Sequence, residues 1–232
     1  MQYGQLVAGT FVRRDNRFRA TVRIDGQQRA AHVSSSGRMW ELLVKGAPVW
    51  LRPASTAGRK TAYDLALVES AGVLVSVDAR LPNHLYREAW ESGAVWRAGE
   101  GSLEQEVRRG ASRLDFRVTT PSASRWIEVK SVTLVEKGVA LFPDAPTARG
   151  AKHLGELQSL VASGEEGAAV FVVQRSDARQ FAPHWEADPT FAAALAAASR
   201  AGVMVEAYAC DVSTTSIVIS HALPIELGSS TS

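Results

Sequence analysis

The sequence predicts a mixed α/β protein: a small basic β-barrel over residues 1–82, followed by an α/β layer domain over residues 83–232. Two observations predict it, and a third, the charge, sets the first part apart. Short segments with period-two alternation, separated by turn residues, fill the first eighty positions. From Pro82 onward, helical and strand patterns alternate, which is the signature of helices layered on a sheet. Basic charge is concentrated at one end. Residues 1–60 hold eleven Lys and Arg against three acids, net +8, and the remainder holds 15 against 21, net −6.

In chain order, RFRATVRID (17–25) is the clearest strand. Phe18, Ala20, Val22 and Ile24 form one face, with Arg17, Arg19, Thr21 and Arg23 on the other. Asp25-Gly26 is a hairpin turn signal, so QQRAAHVSS should return antiparallel. GRMWELL (37–43) reads as a short helix ended by Lys45-Gly46. APVWLRP, TAYDLALVE and GVLVSVDARL are three further strands. Five or so strands with one helix between them suit a barrel of the OB type, whose strand face commonly takes oligonucleotides. The arginines at 17, 19 and 23 would charge that face.

In the second part, PNHLYREAWESG reads as a helix, and SRLDFRV (112–118) and RWIEVKSVTL (125–134) as a strand pair joined by the turn at Pro121-Ser-Ala-Ser. KHLGELQSLVASG (152–164) is amphipathic, with Gly164 placed as a C′ residue. GAAVFVVQR (167–175) is nearly continuous in apolar residues, as a central strand buried on both faces must be. DPTFAAALAAASRAGV carries Asp188 as N-cap, Pro189 at N1 and Gly202 at C′. MVEAYACDV and TSIVIS are two last strands, and the tail SSTS is expected to fray.

The composition is that of a globular chain, 46% hydrophobic and 22% charged. No apolar run is long enough to span a bilayer, and no membrane partner is expected. One cysteine, Cys210, and no leader pattern fit a reducing cytoplasm. Five scattered histidines leave no zinc spacing. The basic N-terminal third on an otherwise acidic chain points to a polyanion partner.

The chemistry concentrates around RWIEVK (125–130). Glu128 and Lys130 lie two apart, so both project from the same side of one strand. Asp115, between Leu114 and Phe116 on the preceding strand, is a costly carboxylate to bury unless paired or metal-bound. Glu106 lies a little upstream. An Asp on one strand and Glu-x-Lys on the next resembles the layout of the PD-(D/E)XK nucleases, and that resemblance implies a restriction-endonuclease-like α/β domain with a central mixed sheet for the second part. Hard oxygen ligands would hold Mg²⁺ or Mn²⁺, the ion would acidify a water, and the lysine would serve the nucleophile or the developing charge. Glu106, Asp115 and Glu128 are the expected metal ligands, and Asp115, Glu128 and Lys130 the catalytic set. Other templates fail. AGRKT (57–61) lacks both glycines of a phosphate loop, and GASRL (110–114) lacks the closing glycine of a nucleophile elbow. Glu165-Glu166, between glycines, reads as a solvated turn. Tryptophans such as Trp40 and Trp50 usually belong to a core, but Trp40 beside Arg38 is the one to test for base stacking.

In order and spacing, GTFVRRDNRF, HVSSSGRMWELL, GRKTAYDLALVE, LPNHLYREA, EVRRGASRLDF, IEVKSVTL, LFPDAPTARGAKHLGEL and FVVQR resemble the sugar fermentation stimulation protein A (SfsA) family over nearly the whole chain. Ser35 departs from the family's usual Asn in the H-x-x-N-x-G-R loop. The resemblance implies a prokaryotic cytoplasmic protein with an OB-like first domain, a PD-(D/E)XK-like second domain, non-specific DNA binding and a regulatory link to maltose metabolism. Two functions follow as expectations: a divalent-metal-dependent DNA endonuclease or exonuclease, or a DNA-binding regulator without turnover. Expected DNA contacts are Arg17, Arg19, Arg23 and Arg38 from the barrel, then Arg149 and Lys152 beside a helix N-terminus near residue 152, and Gln174-Arg175 at the end of the central strand. The oligomeric state is left open, with a homodimer as one option.

Overall fold

Residues 7–76 form the barrel because apolar residues recur at every second position between tight turns. The strands are β1 (Val7–Asn16), β2 (Arg19–Ile24), β3 (Gln27–His32), β4 (Pro48–Pro53), β5 (Tyr63–Ser70) and β6 (Val73–Ser76). They pair in the order β3-β2-β1-β4-β5-β6, and a parallel β3–β5 contact at Ala31↔Tyr63 and His32↔Asp64 closes the ring. Phe11, Val22, Val49, Leu51 and Leu65 fill the interior. Asp25 and Gly26 both adopt positive φ, as the expected hairpin turn requires. The structure is a computed structural model and describes residues 1–54, 59–95, 101–109, 112–121 and 123–228. Parts of AGRKT, GASRL and the 121–124 turn, and the tail SSTS, lie outside the described residues.

Two expectations for the barrel fail. Arg17 and Phe18 are the turn between β1 and β2, so Phe18 is 49% exposed instead of joining the core face, and Thr21 is buried. Residues 37–43 form no helix. Met39 adopts φ 48°, and only the amides of Leu42 and Leu43 reach back to its carbonyl. The backbone amides of Arg38 and Met39 bond instead to Asp144 Oδ2 at 2.6 and 3.3 Å, a partner far along the chain.

The second part adds α1 (Leu81–Ser92), β7 (Ser102–Arg109), β8 (Ser112–Thr119), β9 (Ser124–Val132), β10 (Val135–Glu136), β11 (Val139–Phe142), α2 (Ala148–Ala162), β12 (Glu166–Val173), β13 (Gln180–Pro183), α3 (Pro189–Arg200), β14 (Met204–Val212) and β15 (Ile217–Ala222). The main sheet runs β15-β14-β12-β9-β8-β7. β9, β12 and β14 are parallel, and the flanking strands are antiparallel, so the sheet is mixed. β10, β11 and β13 make a small second sheet. One face of the main sheet packs on α1 and on Ala66 and Leu67 of the barrel. The other packs on α2 and α3 through Leu154, Leu157, Phe171, Phe191 and Leu195.

Asp188 caps α3 as expected, accepting from Phe191 N at 2.9 Å, and it also accepts from Thr147 N at 2.7 Å. Thr147 in turn caps α2, accepting from Gly150 N at 3.1 Å. Helix α2 therefore starts at Ala148 and not near Lys152. Gly150 therefore belongs to the helix. It lies in the first turn, where a Cβ would come 2.8 Å from Thr147 and 3.0 Å from Phe191. Glu165 and Glu166 are likewise more than a solvated tip, since they pair with Arg109 and Arg125.

The two parts are joined by more than the chain. Ser76 N donates to Gln174 O at 3.0 Å, Ser76 Oγ to Gln174 Oε1 at 3.0 Å, and Gln174 Nε2 to Ser131 Oγ at 2.9 Å. The first residues also leave the barrel. Gln2 bridges Ser216, and Tyr3 N donates to Thr215 O at 2.8 Å, so residues 1–3 run beside residues 215–217, at the head of β15.

Candidate active site

The site is built where two strands part. β8 and β9 pair from Thr119↔Ser124 to Phe116↔Ile127, and the pairing stops one residue short of Asp115 and Glu128. The Asp115 carboxylate takes over, with Oδ2 accepting from Val129 N at 2.8 Å. A side chain thus occupies the place of a ladder bond, and the strands fork around it. Across the fork Phe116 and Val118 pack in the α1 layer, while Leu114 packs in the α2–α3 layer. Asn83 Nδ2, on α1, donates to Asp115 Oδ1 at 2.7 Å and fixes the carboxylate from the other side.

Glu128 is 4% exposed. Its Oε1 accepts from Lys130 Nζ at 2.5 Å and from His153 Nδ1 on α2. Its Oε2 is buried with no hydrogen-bond partner among the described residues. Burial pushes the Glu128 carboxyl up, but the His153 hydrogen bond and the Lys130 charge outweigh it and hold it below the ordinary glutamate range. Asp115 goes the other way. Burial, then the nearby Glu128 charge, raise its carboxyl above the ordinary range against the pull of Val129 N–H, Asn83 and Lys130. A carboxyl raised by burial beside a carboxylate held ionised by a lysine and a histidine is a pattern common at functional sites.

These groups open into a cleft of about 580 Å³ that also meets Asn83, Arg149 and the first turn of α2. The expected three-carboxylate set is not gathered as ligands. Glu106 lies on the wall of the cleft, in a positive-φ kink of β7, but its carboxylate pairs with Arg113 at 2.6 Å. Among the described residues no three His, Cys, Asp or Glu side chains stand close enough to hold a metal. A pair, Asp115 and Glu128, does face the cleft, and the unpartnered Glu128 Oε2 fits a hard cation.

The expected DNA contacts divide. Arg149 is exposed and lines the cleft. Lys152 is exposed one turn further along α2 and lies near Glu156 at 3.6 Å, so it is a surface ion pair. Arg17 and Arg38 line hollows on the barrel, whereas Arg19 approaches Asp15 at 3.5 Å, and it and Arg23 lie on the exposed side of β2 outside those hollows. Gln174 and Arg175 do not reach the cleft. Gln174 is 0% exposed and bridges Ser76 and Ser131, and Arg175 is buried on Asp177 at 2.6 Å and Thr133 O at 3.0 Å. The strand end that suggested a cleft is covered by the barrel. Ser35, at the family's Asn position, accepts from Gly37 N at 3.2 Å, a turn-forming role a hydroxyl can fill.

Sequence reasoning missed His153 and Asn83. Both lie at helical positions within otherwise ordinary amphipathic patterns, and only the packing of α2 and α1 against the fork reveals them.

Comparison with known proteins agrees with this architecture. The SfsA N-terminal OB domain matches residues 12–77, and the sugar fermentation stimulation protein RE domain matches residues 80–216. A sugar fermentation stimulation protein homolog of Moorella thermoacetica is 43% identical over 225 residues, covering 96% of this chain and 97% of its own. One from Chloroflexus aggregans is 40% identical over 221 residues, covering 95% and 85%. The structure of Pyrococcus furiosus SfsA in complex with Ca²⁺ superposes with a TM-score of 0.89 at 30% identity, covering 97% of this chain and 98% of that one. The chain belongs to the SfsA family.

Proposed function

We propose that this protein binds DNA and hydrolyses its phosphodiester bonds with the help of a divalent cation, in the reducing cytoplasm. The observation that supports this most is the fork: Asp115 and Glu128 face one polar cleft with Lys130 tied to Glu128 at 2.5 Å. Asp115 and Glu128 would hold Mg²⁺ or Mn²⁺, with Glu106 on the same wall, and the Ca²⁺ in the Pyrococcus furiosus relative agrees with a hard-cation site. What such an ion supplies when bound is an acidified water and neutralisation of phosphate charge. The chain's own groups do the rest. Arg149 and the amide end of α2 receive a phosphate. Lys130 holds a proton beside the point of attack. Asn83 and His153 keep both carboxylates oriented, as partners behind a ligand do.

The test is sequential. Oligonucleotide binding is measured in EDTA, and cleavage after Mn²⁺ or Mg²⁺ is added, for wild type and Asp115→Ala. Cleavage by wild type alone is the expected result. Binding by Asp115→Ala in EDTA is no weaker, because the change removes negative charge from the path of a phosphate. A second reading, a DNA-binding regulator without turnover, is favoured by the Glu106–Arg113 pair, which leaves the acidic set incomplete. Salt-steep binding with no cleavage of single-stranded, duplex or branched DNA in either metal would select it.

A further inference from the structure

The barrel presents an indole near this cleft. Trp40 is 76% exposed, although its neighbours Met39 and Leu42 are each 1% exposed. The positive φ of Met39 turns the chain so that Met39 and Leu42 enter the barrel core and Trp40 points away. The turn is held from two sides. Asp144 binds the amides of residues 38 and 39, and the Arg14 guanidinium donates to the carbonyls of Gly37 at 2.8 Å and Arg38 at 2.6 Å. At Gly37 a Cβ would come 2.6 Å from Asp144 Oδ2, so a larger residue would displace the carboxylate that holds the turn. The indole is exposed on a braced support.

Its surroundings are cationic. Trp40, Arg38, Arg17 and Leu43 wall a hollow of about 390 Å³ that has no carboxylate in its lining among the described residues. Arg17 and Arg38 are exposed and have no ion-pair partner among the described residues. Next to Arg17, whose guanidinium carbon lies 5.4 Å from the ring centroid, Phe18 is a second exposed aromatic. Through Gly37 and Ser36 the hollow meets a cleft of about 280 Å³ between the barrel and residues 131–147, and Ser36 also borders the cleft of Asp115, Glu128 and Lys130. Asp144, the acid in that passage, is already engaged by the two amides.

We propose that this path takes a single-stranded polynucleotide, with an unpaired base stacked on Trp40 and the backbone passing Arg17 and Arg38 toward the cleft of Asp115, Glu128 and Lys130. The inference rests on the phosphodiester reading above and names its substrate class. In a duplex the base faces are covered by one another, whereas every base of a single strand offers a face to an aromatic ring. Guanidinium groups flanking the ring supply the phosphate contacts.

The experiment measures fluorescence anisotropy of a labelled thymidine oligonucleotide of about twenty nucleotides, the matching duplex and an abasic strand of equal length. The full-length protein is used in EDTA. Wild type should bind the thymidine strand more tightly than the duplex. Trp40→Ala should weaken single-strand binding by about five- to a hundredfold, the range for losing one stacking platform. It should leave duplex and abasic binding within about twofold, and Trp40→Phe should restore most of the loss. The side chain is exposed, so an unchanged thermal melt separates lost stacking from misfolding. Duplex preferred over single strand, or equal losses on all three probes, would overturn the inference. If Trp40→Ala binds normally while Asp115→Ala still abolishes metal-dependent cleavage, this inference falls and the hydrolytic reading stands. No binding to any probe and no cleavage would remove both.

Discussion

Gln174 is the sharpest place to separate a structural role from a ligand contact. Replacing it with leucine keeps most of its volume and removes both polar ends. Ser76 Oγ, on a residue 0% exposed, then loses its acceptor at 3.0 Å, and Ser131 Oγ loses its donor at 2.9 Å. An orphaned buried hydroxyl costs about 1–3 kcal/mol, and Ser131, only half-buried, should fall at the low end because water can reach it. The sum is about 2–4 kcal/mol. For a chain of this size each kcal/mol moves Tm by about 2–4 °C, so Gln174→Leu should melt roughly 5–15 °C lower. Urea unfolding should show the same loss, and the double variant Gln174→Leu with Ser76→Ala should lose less than the two singles added, since both ends of one bond are then gone. Oligonucleotide affinity of the folded variant should match wild type. A Tm within about 1 °C of wild type together with weakened binding would refute the reasoning and return Gln174 to the ligand surface.

Two other outcomes follow from the site. Asp115→Asn should raise Tm by a few degrees at pH 7 in EDTA while abolishing cleavage, because Asp115 has a carboxyl raised by burial and by Glu128, and the Asn83 amide can turn its oxygen to the new NH2 so that both ends of residue 115 stay bonded. A raised acid binds more protons folded than unfolded, so its penalty grows as pH rises through the folded value, and the gap between variant and wild type should close below the ordinary aspartate range near pH 3.8. A lower Tm for the variant at pH 7 would contradict this. Asp188→Ala should cost about 2–4 kcal/mol in urea unfolding, from one lost helix cap plus the orphaned Thr147 amide. A loss below about 1 kcal/mol would mean that water replaces the carboxylate at both amides.

What the sequence discloses is local, and the differences lie where distant partners intervene. Helix α3 is legible because Asp188, Pro189 and Gly202 are terminus signals within one short segment. The β8–β9 pair is legible because alternation and a turn are both local. The 37–43 stretch has a helical composition, but Asp144, 106 residues from Arg38, claims its amides. β7 hides because SLEQEVRR exposes most of its side chains, so polar alternation leaves no apolar face to count. For the site, the E-x-K spacing places Glu128 and Lys130 on one side of a strand. It does not show that Asp115 would bond to the Val129 amide, that His153 would arrive from α2, or that Glu106 would turn to Arg113. Those depend on the way layers close over the sheet.

The run of residues 1–3 beside β15 has a consequence for how the molecule is assembled. Gln2 and Tyr3 are made long before Ser216 and Thr215, so they must wait through synthesis of the roughly two hundred residues between before their hydrogen-bonding partners exist. Closing so long a loop favours late docking, with the barrel already formed and the final hairpin drawing the leading segment in last. Until that clasp shuts, the backbone of residues 215–217 at the head of β15 stands bare and open to a stranger's strand.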